Sequence, residues 1–342
     1  MAHRRAEFVF HPPSSVRVCL AGLVVLTAAV AGCPAPGGIK ITPVPADQSM
    51  QERVLKRDSA WTSDRVAVID IAGILMNSHQ PGLFSEGEHP VSLLVEKLAA
   101  AEADSRVKAV VLRVNSPGGT VTASDTMYAE ILAFKKRTKR PVVALFQDVA
   151  ASGAYYLSCA ADEIMAQRTS VTGSIGVIMQ MFNFSGSMTM LGMTADAITS
   201  GPHKDTGTPF RPMRTEEREL FQTLVNGFYE QFVDAVSAGR PKLTRDQVRT
   251  LADGRVYSAD QALTAGLIDE IGTLQDAVAA AKKRAGIDKA VTVCYRRPGD
   301  WSPNIYSQAG QTLPQTVNLV NVTLPNLWTN TADFMYIWLP GR

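Results

Sequence analysis

From Arg65 the chain alternates two kinds of segment. "RVAVIDIAGIL" (65–75), "VKAVVLRVN" (107–115) and "PVVALFQDVA" (141–150) are nearly continuous apolar runs rich in valine. Between them lie "VSLLVEKLAAAEA" and "SDTMYAEILAFKKR", whose apolar residues recur at helical spacing. Strands separated by helices of about 12 to 15 residues argue for βαβ units and a parallel sheet. Strands apolar along their whole length fit a sheet covered on both faces. The expected class is therefore α/β, with flanking helices, and a hydrophobic fraction of 46% in 342 residues supports a sizeable core.

Downstream, Leu220, Phe221, Leu224, Val225, Phe228, Phe232, Val233 and Val236 recur at helical spacing. They predict a helix over Thr215–Ala238, with Thr215 as N-cap and Glu216 and Glu217 at the positive end of the dipole. The stripe reads as a core or subunit-facing surface. "TRDQVRTLADG" and "TLQDAVAAAKKRAG" add two helices. From Asp300 periodicity is lost. The aromatic tail "LWTNTADFMYIWLPGR" carries no legible chemistry and could dock on the domain, a neighbouring subunit or a membrane surface.

Residues 1–32 stand apart. Arg4, Arg5 and Arg17 precede an uncharged run, Val18–Gly32. Its strongly apolar part is short for a membrane span, which needs about 20 apolar residues, and it fits an export signal. It ends in "VAGC", which resembles a bacterial lipoprotein box, so Cys33 is the expected lipidation site. An ordinary signal peptide and an uncleaved anchor are the alternatives. The whole chain carries 34 basic and 32 acidic residues, and the excess belongs to this segment, leaving 31 of each sign after residue 32. Nothing there suggests a nucleic-acid footprint. Residues 33–62, rich in Pro and Gly, read as a flexible linker. Cys159 and Cys294, in the body of the chain, form neither a disulfide framework nor a zinc spacing. One disulfide or buried free thiols remain open.

No HExxH-like spacing joins the histidines, and no Walker or GxGxxG loop is present, so no metal or nucleotide cofactor is expected. Two strand-ending turns stand out. In "VNSPGGTV" (114–121), Pro117 fixes one φ while Gly118 and Gly119 leave the backbone bare. In "QDVAASGAYYLSCAAD" (147–162), Ser152 sits among small residues where a strand runs into a helix. Sites in parallel sheets form at the carboxyl ends of strands. The two turns are about 35 residues apart, one strand–helix–strand unit, which puts them at one sheet edge. The N–H groups of Gly119 and Gly153 could then converge beside Ser152 Oγ, the geometry acyl transfer requires. A serine nucleophile needs a base. His203 and Lys204, neighbours in "TSGPHKDTGTPF", are equal candidates on these grounds. A lysine serves only if burial lowers its pKa from a reference of about 10.4. Taken singly, each turn is also readable as tight packing.

"VNSPGG", "AASGAYYLSCAAD", "TSVTGSIGV", "TSGPHKD" and "ADGRVYSADQALTAGLIDEIG" occur in the order seen in bacterial signal peptide peptidase SppA. The chain resembles that family of Ser–Lys dyad serine proteases, on the fold shared with Clp protease and crotonases, over roughly Arg65–Gly286. The resemblance implies Ser152 as nucleophile, Lys204 as general base, Gly119 and Gly153 as oxyanion-hole donors, and Ser174 as the residue orienting the lysine. Asp205 follows the lysine as in the family and is given no chemical step. Ala154 departs from the pattern, where the family commonly has a second glycine, and is expected to narrow the pocket. No histidine lies about 25 residues after Ser152, where a Clp-type triad has one, which favours Lys204 over His203.

The resulting expectation is an export signal over 1–32, a linker over 33–62, an SppA-like domain of repeated ββα units over 63–290, and a C-terminal strand and tail over 291–342. The resemblance implies a membrane-anchored endopeptidase on the extracytoplasmic side of a bacterial envelope. It also implies remnant signal peptides or other membrane-proximal polypeptides as substrates, a homo-oligomer, and no metal or cofactor. Lys204 is expected to be neutral in a buried site. A crotonase-like acyl-CoA enzyme and a non-catalytic anchored scaffold are the rival readings.

Overall fold

The computed structural model describes residues 49–78, 88–298 and 334–338. The expected export signal, Cys33 and most of the tail lie outside them. In chain order come β1 (Gln51–Arg57), β2 (Arg65–Ala72), α1 (Pro90–Ala103), β3 (Val107–Ser116), β4 (Gly118–Thr120) and α2 (Val121–Thr138). β5 (Val142–Ala151), α3 (Gly153–Ser158), β6 (Glu163–Ala166), β7 (Val171–Gly173) and α4 (Ser185–Met190) follow. The rest are α5 (Thr215–Gly239), α6 (Arg245–Leu251), β8 (Val256–Ser258), α7 (Ala259–Thr264), β9 (Glu270–Ile271), α8 (Leu274–Ala285), β10 (Val291–Arg296) and β11 (Met335–Ile337).

The main sheet runs β1-β10-β2-β3-β5-β6-β9, with β7 on β5 and β8 on β7. The pairs from β10 through β2, β3, β5 and β6 to β9 are parallel, as is β5 with β7. β1 with β10 and β7 with β8 are antiparallel, so the sheet is mixed rather than purely parallel.

Alternate residues of each strand point to opposite faces. Ala67, Ile69, Val110, Leu112, Ala144 and Phe146 pack with Leu94 and Leu98 of α1 and Met127, Ile131 and Phe134 of α2. Val66, Val68, Ala109, Val111, Val143 and Leu145 pack with Leu274, Ala277 and Ala281 of α8. Burying such an aliphatic side chain contributes about 1.5–3 kcal/mol. This double covering is why the strands read as unbroken apolar runs.

Three expectations need correction. The expected linker contains a strand: Gln51–Arg57 pairs along β10 and closes that edge. The strand expected after residue 290 is β10, which lies inside the sheet between β1 and β2, so the domain runs past 290 to include it. In α5 the N-cap is Arg214, not Thr215, and the Glu217 carboxylate accepts the Arg214 N–H at 3.1 Å. The apolar stripe of α5 is also divided. Phe232, Val233 and Val236 are core, whereas Leu220 and Leu224 are exposed. Cys159 and Cys294 are both buried free thiols.

Candidate active site

β3, β5 and β7 end at one edge of the sheet, where Ser116 stands opposite Ala150 and Ala151 opposite Gly173. The glycine turn after β3, Ser152 after β5 and Ser174 after β7 are therefore brought together by strand register alone. The Ser152 N–H donates to the Gly173 carbonyl at 2.7 Å, and the Ser152 carbonyl accepts the Tyr156 N–H at 2.9 Å.

Ser152 is strained. Its φ of 56° and ψ of −118° lie where a side chain costs of order 1–3 kcal/mol. Its Oγ is buried and has no hydrogen-bond partner among the described residues. A buried unpaired polar group costs about 1–3 kcal/mol more. Two such costs at one residue, with no structural return, are what a nucleophile held ready for substrate would show.

The backbone around Ser152 is bare because nothing larger fits. A Cβ on Gly153 would lie 2.2 Å from Ser124 Oγ, on the helix packed behind it. Gly118 has φ 99°, and a Cβ there would lie 2.7 Å from the Gly153 nitrogen. The β4 backbone thus runs against the start of α3. A Cβ on Gly119 would lie 1.9 Å from the Leu75 carbonyl oxygen. Leu75 N–H donates to the Gly118 carbonyl at 2.9 Å and its own carbonyl accepts the Thr120 N–H at 2.8 Å. On that side the bonds of Gly118 and Thr120 are used. The Gly119 N–H and C=O consequently face the other side, the one lined by β11.

Ser174 also has positive φ, 49°, and its N–H donates to the Arg255 carbonyl at 2.8 Å. Its side chain is buried, but it makes no hydrogen bond to Lys204. Lys204 and His203 lie in a turn over residues 201–207, and both are exposed. The Lys204 ammonium makes no hydrogen bond or ion pair among the described residues. The expectation of a buried lysine is therefore not met within one copy of the chain, and among the described residues Ser152 Oγ has no base hydrogen-bonded to it.

Asp205 is braced rather than catalytic in this arrangement. Arg211 Nε donates to it at 2.8 Å, and the same guanidinium holds the buried Glu217 at 3.0 Å. These bonds from Arg211 keep both carboxyls below their usual ranges. Arg211 and Glu217 were not legible as part of the site, because spacings of six residues match neither a helix face nor a strand face. Ala154 is fully buried in the core cluster, and the Cys159 thiol, likewise buried, is pushed up to about 12.

The residue that sequence reasoning missed outright is Tyr336. Of the docking surfaces open to the aromatic tail, its residues Met335–Ile337 take the domain itself: β11 pairs antiparallel with β4, Tyr336 opposite Gly119. Among the described residues no group of acidic, cysteine or histidine side chains could hold a metal ion, and no helix is long and apolar enough to cross a membrane.

The family model for Peptidase family S49 matches residues 134–288, and that for Clp protease matches residues 64–200. A protein of Methanocaldococcus jannaschii described as a protease is 38% identical over 214 residues, covering 63% of this chain and 68% of that protein. One of Enterococcus faecium described as a signal peptide peptidase SppA is 34% identical over 235 residues, covering 69% of this chain and 68% of that protein. The chloroplastic serine protease SPPA of Arabidopsis thaliana is 34% identical over 255 residues, covering 73% of this chain and 37% of that protein. These likenesses displace the acyl-CoA and scaffold readings. The chain, with its Clp-protease-like α/β fold, belongs to the SppA family of serine peptidases, peptidase family S49.

Proposed function

We propose that this peptidase uses Ser152 as nucleophile and Lys204 as general base. Lys204 takes the Ser152 proton as Oγ attacks a peptide carbonyl. The N–H groups of Gly119 and Gly153 hold the tetrahedral oxyanion. Lys204 then passes the proton to the leaving amine, and water hydrolyses the acyl-enzyme with the same groups acting in reverse. The observation that carries this reading is the strained, buried and unpartnered Ser152 hydroxyl beside two bare glycine backbones. Acyl transfer of this kind needs neither metal nor cofactor.

The base comes from a second copy of the chain in this reading. Lys204 is exposed, and the segment leading to it exposes Phe182, Phe184, Met190, Leu191, Met193 and Ile198. Apolar side chains displayed in this way suit a subunit contact. Such a contact would bury Lys204, favour its neutral form and bring it to Ser152 and Ser174 of the neighbour. A homo-oligomer is then part of the catalytic unit.

The substrates proposed are remnant signal peptides and other membrane-proximal polypeptides. The enzyme would be anchored by a lipid on Cys33, the new N-terminus once residues 1–32 are removed, with its catalytic domain on the extracytoplasmic side of the envelope. That part rests on the sequence of the N-terminal segment, and mass spectrometry of the mature N-terminus tests it.

The test of the dyad is complementation. Ser152→Ala and Lys204→Ala chains, each inactive on casein alone, should regain activity when unfolded and refolded together. A Lys204→Ala chain that keeps most of its activity, beside a His203→Ala chain that loses it, would sink the assignment.

A further inference from the structure

We infer that Ser116 is a positioning residue for the oxyanion hole: its hydroxyl holds the Pro117–Gly118 peptide so that the N–H of the next one, that of Gly119, is aimed at the oxyanion. The inference rests on Ser152 being the nucleophile and Gly119 an oxyanion donor, and it gives a role to a residue that never touches substrate.

Ser116 joins three elements. Its backbone, the last of β3, stands opposite Ala150 in the parallel ladder, two residues before Ser152. Its side chain is fully buried. The hydroxyl donates to the Gly73 carbonyl, in the turn after β2, at 2.6 Å. The same oxygen accepts the Gly118 N–H at 3.1 Å. A serine that accepts an N–H from two residues on is a common turn device. In this turn the hydroxyl proton is also committed, across to Gly73, so the oxygen keeps its lone pairs toward Gly118. Rotating the hydroxyl away would leave the buried Gly118 N–H without its partner.

That bond settles which way the neighbouring groups face. In a trans peptide the C=O and the N–H point in opposite directions. The Gly118 N–H is turned in to Ser116, so the Pro117 carbonyl is turned out, where it accepts the Trp338 N–H at 2.8 Å. The Gly118 carbonyl is turned in to the Leu75 N–H at 2.9 Å, so the Gly119 N–H is turned out on the same side as the Pro117 carbonyl. Gly118, with φ 99°, and Gly119 have no side chains to hold this backbone. Close packing demands glycine at both places, and glycine is the residue whose backbone swings most freely. The Ser116 hydroxyl supplies the stiffness that the two glycines give up. It does so from the strand that is paired with the nucleophile's own, so donor and nucleophile are referred to one frame.

An oxyanion donor works only when it waits about 2.7–3.1 Å from where the oxygen will stand. Misplacement by about 1 Å costs on the order of 100-fold in rate. Ser116 makes no contact with the substrate's ground state in this arrangement, so its loss should be felt in the transition state alone.

The test uses the full chain. Ser116→Ala should lower kcat for a casein peptide by about 10- to 100-fold, with KM within about threefold of the wild type. The peptide aldehyde matching the acyl half of that peptide adds to Ser152 Oγ and sets its oxygen in the hole. Its affinity should fall by the same factor as kcat/KM. The intact peptide should bind Ser152→Ala equally well, within about threefold, with or without Ser116→Ala. The pH profile of kcat should keep its wild-type midpoint, because Lys204 is untouched. Ser116→Thr and Ser116→Val are matched in shape and differ in the hydroxyl, so they carry the test if the alanine chain fails to fold. Threonine should keep most of the activity, and valine should lose it. Wild-type kcat in Ser116→Ala, equal activity of the threonine and valine chains, or aldehyde and intact peptide weakened alike would overturn the inference while leaving Ser152 as nucleophile. Casein hydrolysis that survives Ser152→Ala would instead remove the reading beneath it.

Discussion

The Ser152 N–H donates to the Gly173 carbonyl oxygen at 2.7 Å, which locks the residue after β5 to the last residue of β7. Ser152 and Ser174 are thereby forced into the same position on neighbouring strands, each with positive φ. The sheet that the apolar runs build is what holds Ser152 in a conformation it would not choose.

Ser152→Gly should therefore uncouple stability from activity. Glycine adopts positive φ freely and removes the unpaired buried hydroxyl. Relief of about 1–3 kcal/mol, less roughly 0.5–1 kcal/mol for glycine's larger unfolded-state entropy, should raise Tm by a few degrees at about 2–4 °C per kcal/mol. Peptidase activity should vanish. Calorimetry beside a casein assay checks both, and a variant with lowered Tm would show that the strain at Ser152 is not stored energy.

Gly153→Ala should cost stability through one contact, Ser124 Oγ at 2.2 Å from the new methyl. Removing that oxygen with Ser124→Ala should return part of the loss. The remaining neighbours, Ser124 Cβ at 3.2 Å and the Tyr336 carbonyl at 3.1 Å, are tight but tolerable with a small shift. The pair should be coupled by about 0.5–3 kcal/mol in a double-mutant cycle of urea midpoints. Additive effects would mean that α2 yields at Ser124 without strain.

The β2, β3 and β5 runs were legible because each residue type follows from being covered on both faces, and β3 and β5 proved to be neighbours as their spacing implied. β1 was not, because "QERVLKR" is an edge strand whose exposed side chains look like a linker. The two glycine turns were legible through their composition. The exposure of Lys204 was not, since no local pattern says whether a loop folds back on its own domain or outward. Nor was β11: three residues in a tail of no periodicity pair across more than 200 positions, and register over that distance is a tertiary fact.

The Cys159 thiol is pushed up to about 12 by burial, and Cys294 is raised for the same reason. At pH 8 the thiol form therefore dominates at Cys159, and the thiolate is the form that reacts. Iodoacetamide at pH 8 should leave both cysteines unmodified in native protein and alkylate both in urea, as read by peptide mapping. Rapid native labelling of the Cys159 peptide would contradict its place in the core.

The turn carrying Lys204 should loosen in acid. Arg211 hydrogen-bonds hold Asp205 and Glu217 below their ordinary values of 3.8 and 4.5. Groups with depressed folded pKa stabilise in full above those values and lose that contribution as pH falls through the folded ones. The turn should therefore be equally protected from pH 8 down to about 5 and loosen progressively as the pH falls below the ordinary carboxyl values. Hydrogen exchange over residues 201–214 against pH measures this. Arg211→Ala should bring faster exchange at neutral pH and a flatter acid profile, while exchange in β3 and β5 stays as in the wild type. A turn that opens no earlier in the variant would show that Arg211 does not set its order, and the position of Lys204 would then have to be fixed by the subunit contact alone.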